Sequence, residues 1–305
     1  MELPPPSSEW AFEDTNIREL QQDGLTGDDV RLCMVDTGIS LTHSALAGTT
    51  IEFKDFVGSE VSPVDYGSIS HGTLMAGLLI SSGYQDGIAQ GITLGMAAAL
   101  SADGDENTGS ESRVASAIRW CIFDFEADII SLSLGGEQNQ EASREGATVS
   151  ATRQALDLGI YVVAAAGNDG ENDDGDVASP GSVSTVICVG GVDERGALWS
   201  GSSVGDNNGN PIPFRWIRFD PDKKPEVVAP GKDVPVIMSG GGWGLASGTS
   251  AATVYVTGAI ALMFEQNPDL KAGGSQSSEE TLDDIKQWIM DSSNLYINEL
   301  FIICN

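Results

Sequence analysis

Histidine and lysine are scarce in this sequence. Its 305 residues include two histidines, His43 and His71, and six lysines. Asp plus Glu total 45 against 15 Lys plus Arg, which gives a formal net charge of −30 at pH 7. So negative a surface repels nucleic acid and anionic membranes, and we expect neither as a partner. The charge predicts a protein adapted to concentrated salt, with an ordinary acidic protein as the alternative.

Long apolar runs are also missing. No run of 18 apolar residues occurs, so we expect no transmembrane helix. The first nine residues lack the basic stretch and the apolar stretch of a signal peptide. We therefore expect a cytoplasmic location for the chain as given, or secretion if it is the mature or truncated form of a longer chain.

The four cysteines form no C-x-x-C pair. Cys33, Cys121 and Cys188 each lie within an apolar run, which predicts small buried side chains. The spacing of the cysteines, including Cys304, supports no zinc site. Nothing in the pattern demands a disulfide, although nothing in it rules one out.

Apolar strand-like segments alternate with helical segments, which predicts an α/β fold with a mostly parallel sheet. The strand candidates are 30–35, 129–134, 160–165 and 186–189. The helix candidates are 112–125, a segment ending near Leu158 with Gly159 as its stop, 249–266, and 279–291.

The tripeptide Asp36-Thr-Gly follows the first apolar strand. Aspartic proteases also use this tripeptide, but they need two such loops, because two carboxylates share one proton. The chain has a single D-T-G and no D-S-G. The sequence therefore argues against that class.

Three further residues are candidates for chemistry. His71 opens a segment of small residues before a helix, where a general base would be held in place, whereas His43 lies in a loop and is expected to be solvated or structurally satisfied. Ser250 begins an apolar helix, whose free N–H groups favour developing negative charge, although Ser is also a common helix cap. Asn168 ends a strand of small residues, where an ordinary turn residue is the alternative reading.

These residues occur in the order Asp36, His71, Asn168, Ser250, and the Asp…His…Ser order is that of subtilisin-type triads. The sequence resembles the subtilase family of serine proteases over about residues 28–264. The segments that carry the resemblance are VDTGI (35–39), HGTLMAG (71–77), GIAQG (87–91), SLSLGG (131–136), AAAGN (164–168), ASPG (178–181), KPEVVAPG (224–231) and SGTSAA (247–252).

The resemblance implies a three-layer α/β sandwich, with Ser250 as nucleophile, His71 as general base, Asp36 as its orienting carboxylate and Asn168 in the oxyanion hole. It also implies a substrate that lies as an added strand between two segments. These segments are Ser133, Leu134, Gly135 and Ala165, Ala166, Gly167.

The expected function is therefore that of a serine endopeptidase that acts on polypeptides, needs no cofactor and works as a monomer. The alternatives are a specialised processing protease or transpeptidase, and a pseudoprotease that binds peptides without cutting them. We expect an N-terminal segment over 1–27, a catalytic domain over 28–270 and an acidic C-terminal extension over 271–305, packed on the catalytic domain or continuing it.

The sequence departs from the family's pattern at several positions. Leu74 replaces a second histidine, and the residues after Ser250 lack the usual proline. Ala45 stands where many relatives have a calcium-binding aspartate, and the loop before Gly87 is short. A structural calcium ion is therefore doubtful, and we assign no metal ligand. The acidic run at 169–176 is a weaker calcium candidate, because calcium needs several converging oxygens.

Overall fold

The computed structural model describes residues 9–136, 146–170, 177–205, 223–292, 295–297 and 300–302. Its strands, in chain order, are β1 Arg31–Asp36, β2 Ile51–Asp55, β3 Thr93–Ala98, β4 Ser101–Asp103, β5 Glu106–Thr108, β6 Ile129–Leu132, β7 Tyr161–Ala165, β8 Ile187–Val192, β9 Val227–Pro230, β10 Val234–Ile237, β11 Trp243–Ala246, β12 Leu295–Ile297 and β13 Leu300–Ile302.

Nine of these strands form one sheet, in the order β12-β13-β9-β8-β7-β6-β1-β3-β2. Every neighbouring pair is parallel except β12 and β13, which are antiparallel. Strands β6 to β9 are buried along their whole length, as expected for a parallel sheet covered on both faces. The predicted α/β class is confirmed. Two antiparallel hairpins, β4–β5 and β10–β11, lie outside this sheet.

The helices are α1 Trp10–Asp14, α2 Ile17–Gln22, α3 His71–Ile80, α4 Glu111–Phe123, α5 Ala147–Asp157, α6 Thr249–Gln266 and α7 Glu279–Ser292. They pack in two groups. Helix α6 crosses β6 to β9 and packs against α3, whereas α4 packs against α5 and α5 against α7. The sheet lies between the two groups, which gives the three layers expected from the sequence.

The predicted elements agree closely with those observed. Helices α4, α5 and α6 begin or end within two residues of the expected positions. Gly159 stops α5 with φ of 73°, a conformation that favours glycine. The sequence reading missed α1, α2, strands β2, β3 and β9, and both hairpins outside the main sheet. The sequence also predicts solvated loops at 101–111, 169–176 and 205–213. The first contains β4 and β5 instead, and most of the other two lies outside the described residues.

Two of the cysteines that were predicted to be buried form a disulfide, a possibility that the sequence left open. Cys33 on β1 and Cys121 on α4 are bonded, with 5.8 Å between their Cα atoms. They are 88 residues apart in sequence, and the packing of α4 on the sheet brings them together. Local spacing could not reveal such a pair. Cys188 is buried outside this bond, and Cys304 lies outside the described residues.

The N-terminal helices are fastened to the turn that follows α3. Arg18 donates a hydrogen bond to the carbonyl of Asp86 at 3.0 Å. The Gln21 amide donates to the carbonyls of Gly87 and Ile88 at 2.6 and 3.0 Å. Three backbone carbonyls of this turn are therefore satisfied by side chains of α2.

Helix α7 buries a lysine as well as apolar side chains. The side chains of Lys224, Glu226 and Lys286 are fully buried, and both lysines contact the same Glu226 oxygen. The second Glu226 oxygen accepts from the backbone N–H of Cys188 at 2.9 Å. Burial lowers the pKa of Lys224, and the nearby Lys286 lowers it further. Beyond α7, β13 adds to the sheet beside β9.

Candidate active site

Four predicted residues lie at the ends of elements that meet at one edge of the sheet. Asp36 is the last residue of β1 and Asn168 follows β7, so both lie at carboxyl ends of parallel strands. His71 is the first residue of α3 and Ser250 the second of α6, so both lie at helix N-termini. Ligand sites of α/β sheets are typically built at this edge.

Asp36 and His71 form a close pair. Nδ1 of His71 lies 2.8 and 3.0 Å from the two carboxylate oxygens of Asp36, which is fully buried. The backbone N–H of Thr37 donates to the same carboxylate at 2.6 Å. Burial alone would lower the pKa of His71, but the charge and hydrogen bond of Asp36, with the charge of Asp65, raise it overall. With Nδ1 directed at Asp36, Nε2 is the nitrogen left for chemistry.

Ser250 is bonded to the segment that follows β6. Its Oγ donates to the carbonyl oxygen of Ser133 at 3.3 Å, and the Ser133 hydroxyl donates to the Ser250 carbonyl at 3.1 Å. Among the described residues, no hydrogen bond joins Ser250 Oγ to His71. Such bonds in free enzymes often form only when substrate arrives.

The side-chain amide of Asn168 is held by its oxygen. The backbone N–H of Thr249 donates to Asn168 Oδ1 at 2.9 Å, and the Thr249 hydroxyl lies 3.1 Å from the same oxygen. The backbone N–H of Gly167 donates to the same hydroxyl at 3.1 Å. No described residue accepts from the NH₂ group of Asn168, which leaves that group able to donate. Sequence reasoning did not assign a role to Thr249, although its place beside Ser250 was a usable signal.

The first turn of α3 is capped from outside the helix. Its N-cap residue Ser70 is left-handed, with φ of 55°, and makes no side-chain cap. The Thr37 hydroxyl accepts from the Gly72 N–H at 2.9 Å, and Asp65 accepts from the Thr73 N–H at 2.9 Å. Sequence reasoning missed Asp65, because a lone acid six residues before a histidine fits no known spacing.

Close packing at this turn requires a glycine. A Cβ added to Gly72 would collide with the backbone carbonyl of Gly38, which belongs to the turn after β1. The small residue directly after His71 thus lets the start of α3 approach the end of β1, which is the approach that the Asp36–His71 distance needs.

The two predicted substrate segments differ in their free backbone groups. They are Ser133, Leu134, Gly135 and Ala165, Ala166, Gly167. The Ala166 carbonyl accepts from Ala178, and the Gly167 carbonyl accepts from Ser203. Within the described residues, the backbone groups of Leu134 and Gly135 make no hydrogen bond. The first segment is therefore the one with groups available to pair with a peptide.

His43 is buried rather than solvated, and its ring is fully bonded. Nδ1 accepts from the Ala45 N–H at 3.0 Å, and Nε2 donates to the Gly242 carbonyl at 2.9 Å. The ring joins the turn after β1 to the β10–β11 hairpin. His43 therefore has a structural role, which is one of the two alternatives that the sequence left open for it.

The described residues contain no group of three or more His, Cys, Asp or Glu side chains that could hold a metal ion. At the position where relatives carry a calcium-binding aspartate, Ala45 offers only its carbonyl, which accepts from the Ser82 N–H at 2.9 Å. These residues do not fit a calcium site. Among the described helices, none is both long and apolar enough to cross a membrane.

Comparison with known proteins identifies the family. The chain is 31% identical to serine protease AprX of Bacillus subtilis (strain 168), over 95% of this chain and 67% of AprX. It is 30% identical to subtilisin NAT of Bacillus subtilis subsp. natto, over 82% of this chain but only 59% of that protein. The prenylagaramide maturation protease PagA has a similar fold, with a TM-score of 0.70 and 22% identity over 92% of this chain and 89% of PagA. The model of the subtilase family (peptidase S8) matches residues 27–301, and the chain belongs to this family.

Proposed function

We propose that the protein is a serine endopeptidase that cleaves polypeptides through an acyl-enzyme on Ser250. The observation that carries the proposal is the His71 ring, bonded through Nδ1 to a fully buried carboxylate, at the same sheet edge as Ser250 and Asn168. Serine proteases of the same family, similar over most of this chain, support the assignment.

The chemistry follows from the properties of these groups. Serine is a weak nucleophile until a base removes its proton. His71 Nε2 takes that proton as Ser250 Oγ bonds to the substrate carbonyl carbon, and then gives it to the leaving amine. Asp36 keeps Nδ1 protonated and stabilises the imidazolium. Water then repeats the sequence: His71 takes its proton, the hydroxide displaces Ser250 from the acyl group, and the serine regains a proton.

Two donors are proposed for the oxyanion. They are the Asn168 NH₂ group, whose oxygen Thr249 holds, and the backbone N–H of Ser250 at the start of α6. This scheme needs no metal or cofactor, because the positive end of helix α6 and the Asn168 amide stabilise the oxyanion.

The substrate is proposed to pair with the first segment rather than with both. In the described part of the chain the backbone groups of Leu134 and Gly135 have no hydrogen-bond partner, so an extended peptide can use them as a neighbouring strand. The backbone carbonyls of Ala166 and Gly167 already accept hydrogen bonds within the protein, so this second segment would form a wall of the pocket.

Labelling with a fluorophosphonate and mapping of the modified residue tests the proposal. We expect modification of Ser250 alone, and none in Ser250→Ala or His71→Ala. Each variant should lose several orders of magnitude in kcat on a peptide ester, and the double variant little more, because the groups act as a unit. Ser247→Ala is the matched control, since its hydroxyl bonds to Asp233 alone, accepting from the backbone N–H at 3.0 Å and donating to the carboxylate at 3.4 Å. Full turnover in His71→Ala would refute the assignment.

A specialised processing protease or transpeptidase is the second candidate. The maturation protease PagA has a similar fold, which favours this candidate. Its sequence identity of 22% supports a shared fold and nothing more specific. Turnover on several unrelated unfolded proteins separates a broad protease from one that cuts or transfers a single peptide. A pseudoprotease would bind peptides without taking the label.

A further inference from the structure

Asp65, which has no assigned role, lies where the two catalytic segments meet. It accepts four hydrogen bonds through its two oxygens. Oδ1 accepts from the Thr37 hydroxyl at 2.7 Å and the Gly67 N–H at 2.9 Å. Oδ2 accepts from the Thr73 N–H at 2.9 Å and the Thr73 hydroxyl at 2.6 Å. Thr37 directly follows Asp36, and Thr73 is two residues after His71.

The two threonines are used in a reciprocal way. Each donates its hydroxyl proton to Asp65 and accepts from a backbone N–H of the opposite segment. Thr37, after β1, accepts from Gly72 in α3 at 2.9 Å. Thr73, in α3, accepts from Ser40 after β1 at 2.8 Å. One carboxylate therefore fixes both hydroxyl orientations and ties the start of α3 to the end of β1.

Asp65 also supplies what the helix lacks at this end. Ser70 gives α3 no side-chain cap, so the first N–H groups of the helix depend on Thr37 and Asp65. A negative charge there interacts favourably with the positive end of the helix. His71 is the first residue of α3, so any movement of this turn moves the imidazole.

We propose that Asp65 is a positioning residue for the catalytic pair. It holds the start of α3 against the end of β1, so that the His71 ring stays in register with Asp36, and it places a second negative charge near that ring. The inference rests on the proposed function of His71 as a base. Asp65 acts through Thr37 and Thr73 and does not touch substrate.

The electrostatic part has a definite sign. Within the described residues, Asp36 and Asp65 are the charged groups that act on His71, and both raise its pKa. The uncharged Ser250 on α6, the β10–β11 hairpin and the turn at His43 supply no such charge. Removal of the Asp65 charge should therefore lower the pKa of His71, so that the ring becomes neutral at a more acidic pH.

NMR titration of the protein with ¹⁵N-labelled histidine tests this without need of turnover. The chain has only two histidines, so the His71 signals are assigned by comparison with His71→Ala. We expect Asp65→Asn to lower the pKa of His71 measurably at low ionic strength, with a smaller shift in concentrated salt. Asp65→Glu keeps the charge and should keep most of the pKa.

Kinetics on a peptide ester supply the second measurement. Asparagine can replace only two of the four acceptor contacts, so we expect kcat to fall about tenfold in Asp65→Asn with KM nearly constant, since modest misplacement of a catalytic group is costly. The acid limb of kcat/KM should move to lower pH by the NMR shift. Asp157→Asn is the matched control, because this exposed carboxylate lies at the end of α5, at the opposite edge of the sheet.

An unchanged His71 pKa in folded Asp65→Asn, whatever its melting temperature, would overturn the inference. If that variant does not fold, Thr73→Val and Thr73→Ser decide, because only the serine keeps the hydroxyl that donates to Asp65. We then expect kcat to fall in Thr73→Val and to recover in Thr73→Ser, and equal kcat values would overturn the inference. A wild type that titrates as expected yet has no turnover refutes the proposed function instead.

Discussion

The Cys33–Cys121 disulfide joins β1, which ends at the candidate catalytic residue Asp36, to α4 on the face of the sheet. Replacing both cysteines by alanine removes this cross-link. The background should be Ser250→Ala, so that the unfolded chain is not digested by its own folded copies. Cys188→Ala is a matched control, because it removes a fully buried sulfur that lies outside the Cys33–Cys121 bond.

The size of the effect follows from the length of chain that the bond closes. A cross-link between residues 88 apart lowers the entropy of the unfolded chain, with a stabilisation of about 4.6 kcal/mol at 25 °C in the chain-entropy treatment. We expect the double variant to lose this amount in addition to twice the cost of Cys188→Ala. The loss is comparable to the whole stability of a marginal protein.

Urea unfolding followed by circular dichroism measures the difference. Thiol labelling in guanidinium, mapped by residue, should leave Cys33 and Cys121 unlabelled in the unreduced wild type. Both bonded cysteines are fully buried, so reduction should proceed no faster than unfolding. Labelling of Cys33 and Cys121, or equal stability once the control is subtracted, would refute the reasoning. A required disulfide would favour the secreted form over a cytoplasmic one, since such bonds persist in oxidising compartments.

Three further outcomes are expected. Asn168→Ala should lower kcat roughly 10²–10³-fold, the range known for removing one oxyanion donor in a subtilisin, with little change in KM; a loss confined to KM would show a turn residue only. Excess EDTA at fixed ionic strength should leave the melting temperature nearly unchanged, because Arg18 and Gln21 bond the carbonyls of the turn after α3, whereas a drop of tens of degrees would reveal a strong metal site. Folding and esterase activity should improve between about 0.05 and 3 M KCl, as screening relieves repulsion among the carboxylates of a chain with charge −30; full stability and activity at the low end would refute salt adaptation.

Much of the fold was predictable because its signals are local. The helix stop at Gly159 and the strand before Asp36 depend on neighbouring residues, and the structure has both. The four candidate catalytic residues were found from their order in the chain, and the structure places them at one edge of the sheet.

What the sequence reading missed depends on partners far apart in the chain. The disulfide requires α4 to lie on β1. The Asp65 network requires the turn after β1 and the start of α3 to meet at the same carboxylate. Helices α1 and α2 are too short for a clear periodicity, and they are held in part by carbonyls more than 60 residues away. Nothing in the spacing of single residues reports such contacts.

The position of β13 has a consequence for solubility. Strand β13 pairs with β9 and carries β12 beyond it, so β9 is an interior strand rather than the sheet's edge. Without β13, the backbone of Val227–Pro230 would present unpaired N–H and C=O groups to other chains. Such an edge promotes aggregation by strand pairing. The last strand on this side of the sheet is β12, which is only three residues long. So short an edge strand is a poor template for another strand. A chain shortened before residue 295 should therefore be recovered as aggregate even where its catalytic residues are intact.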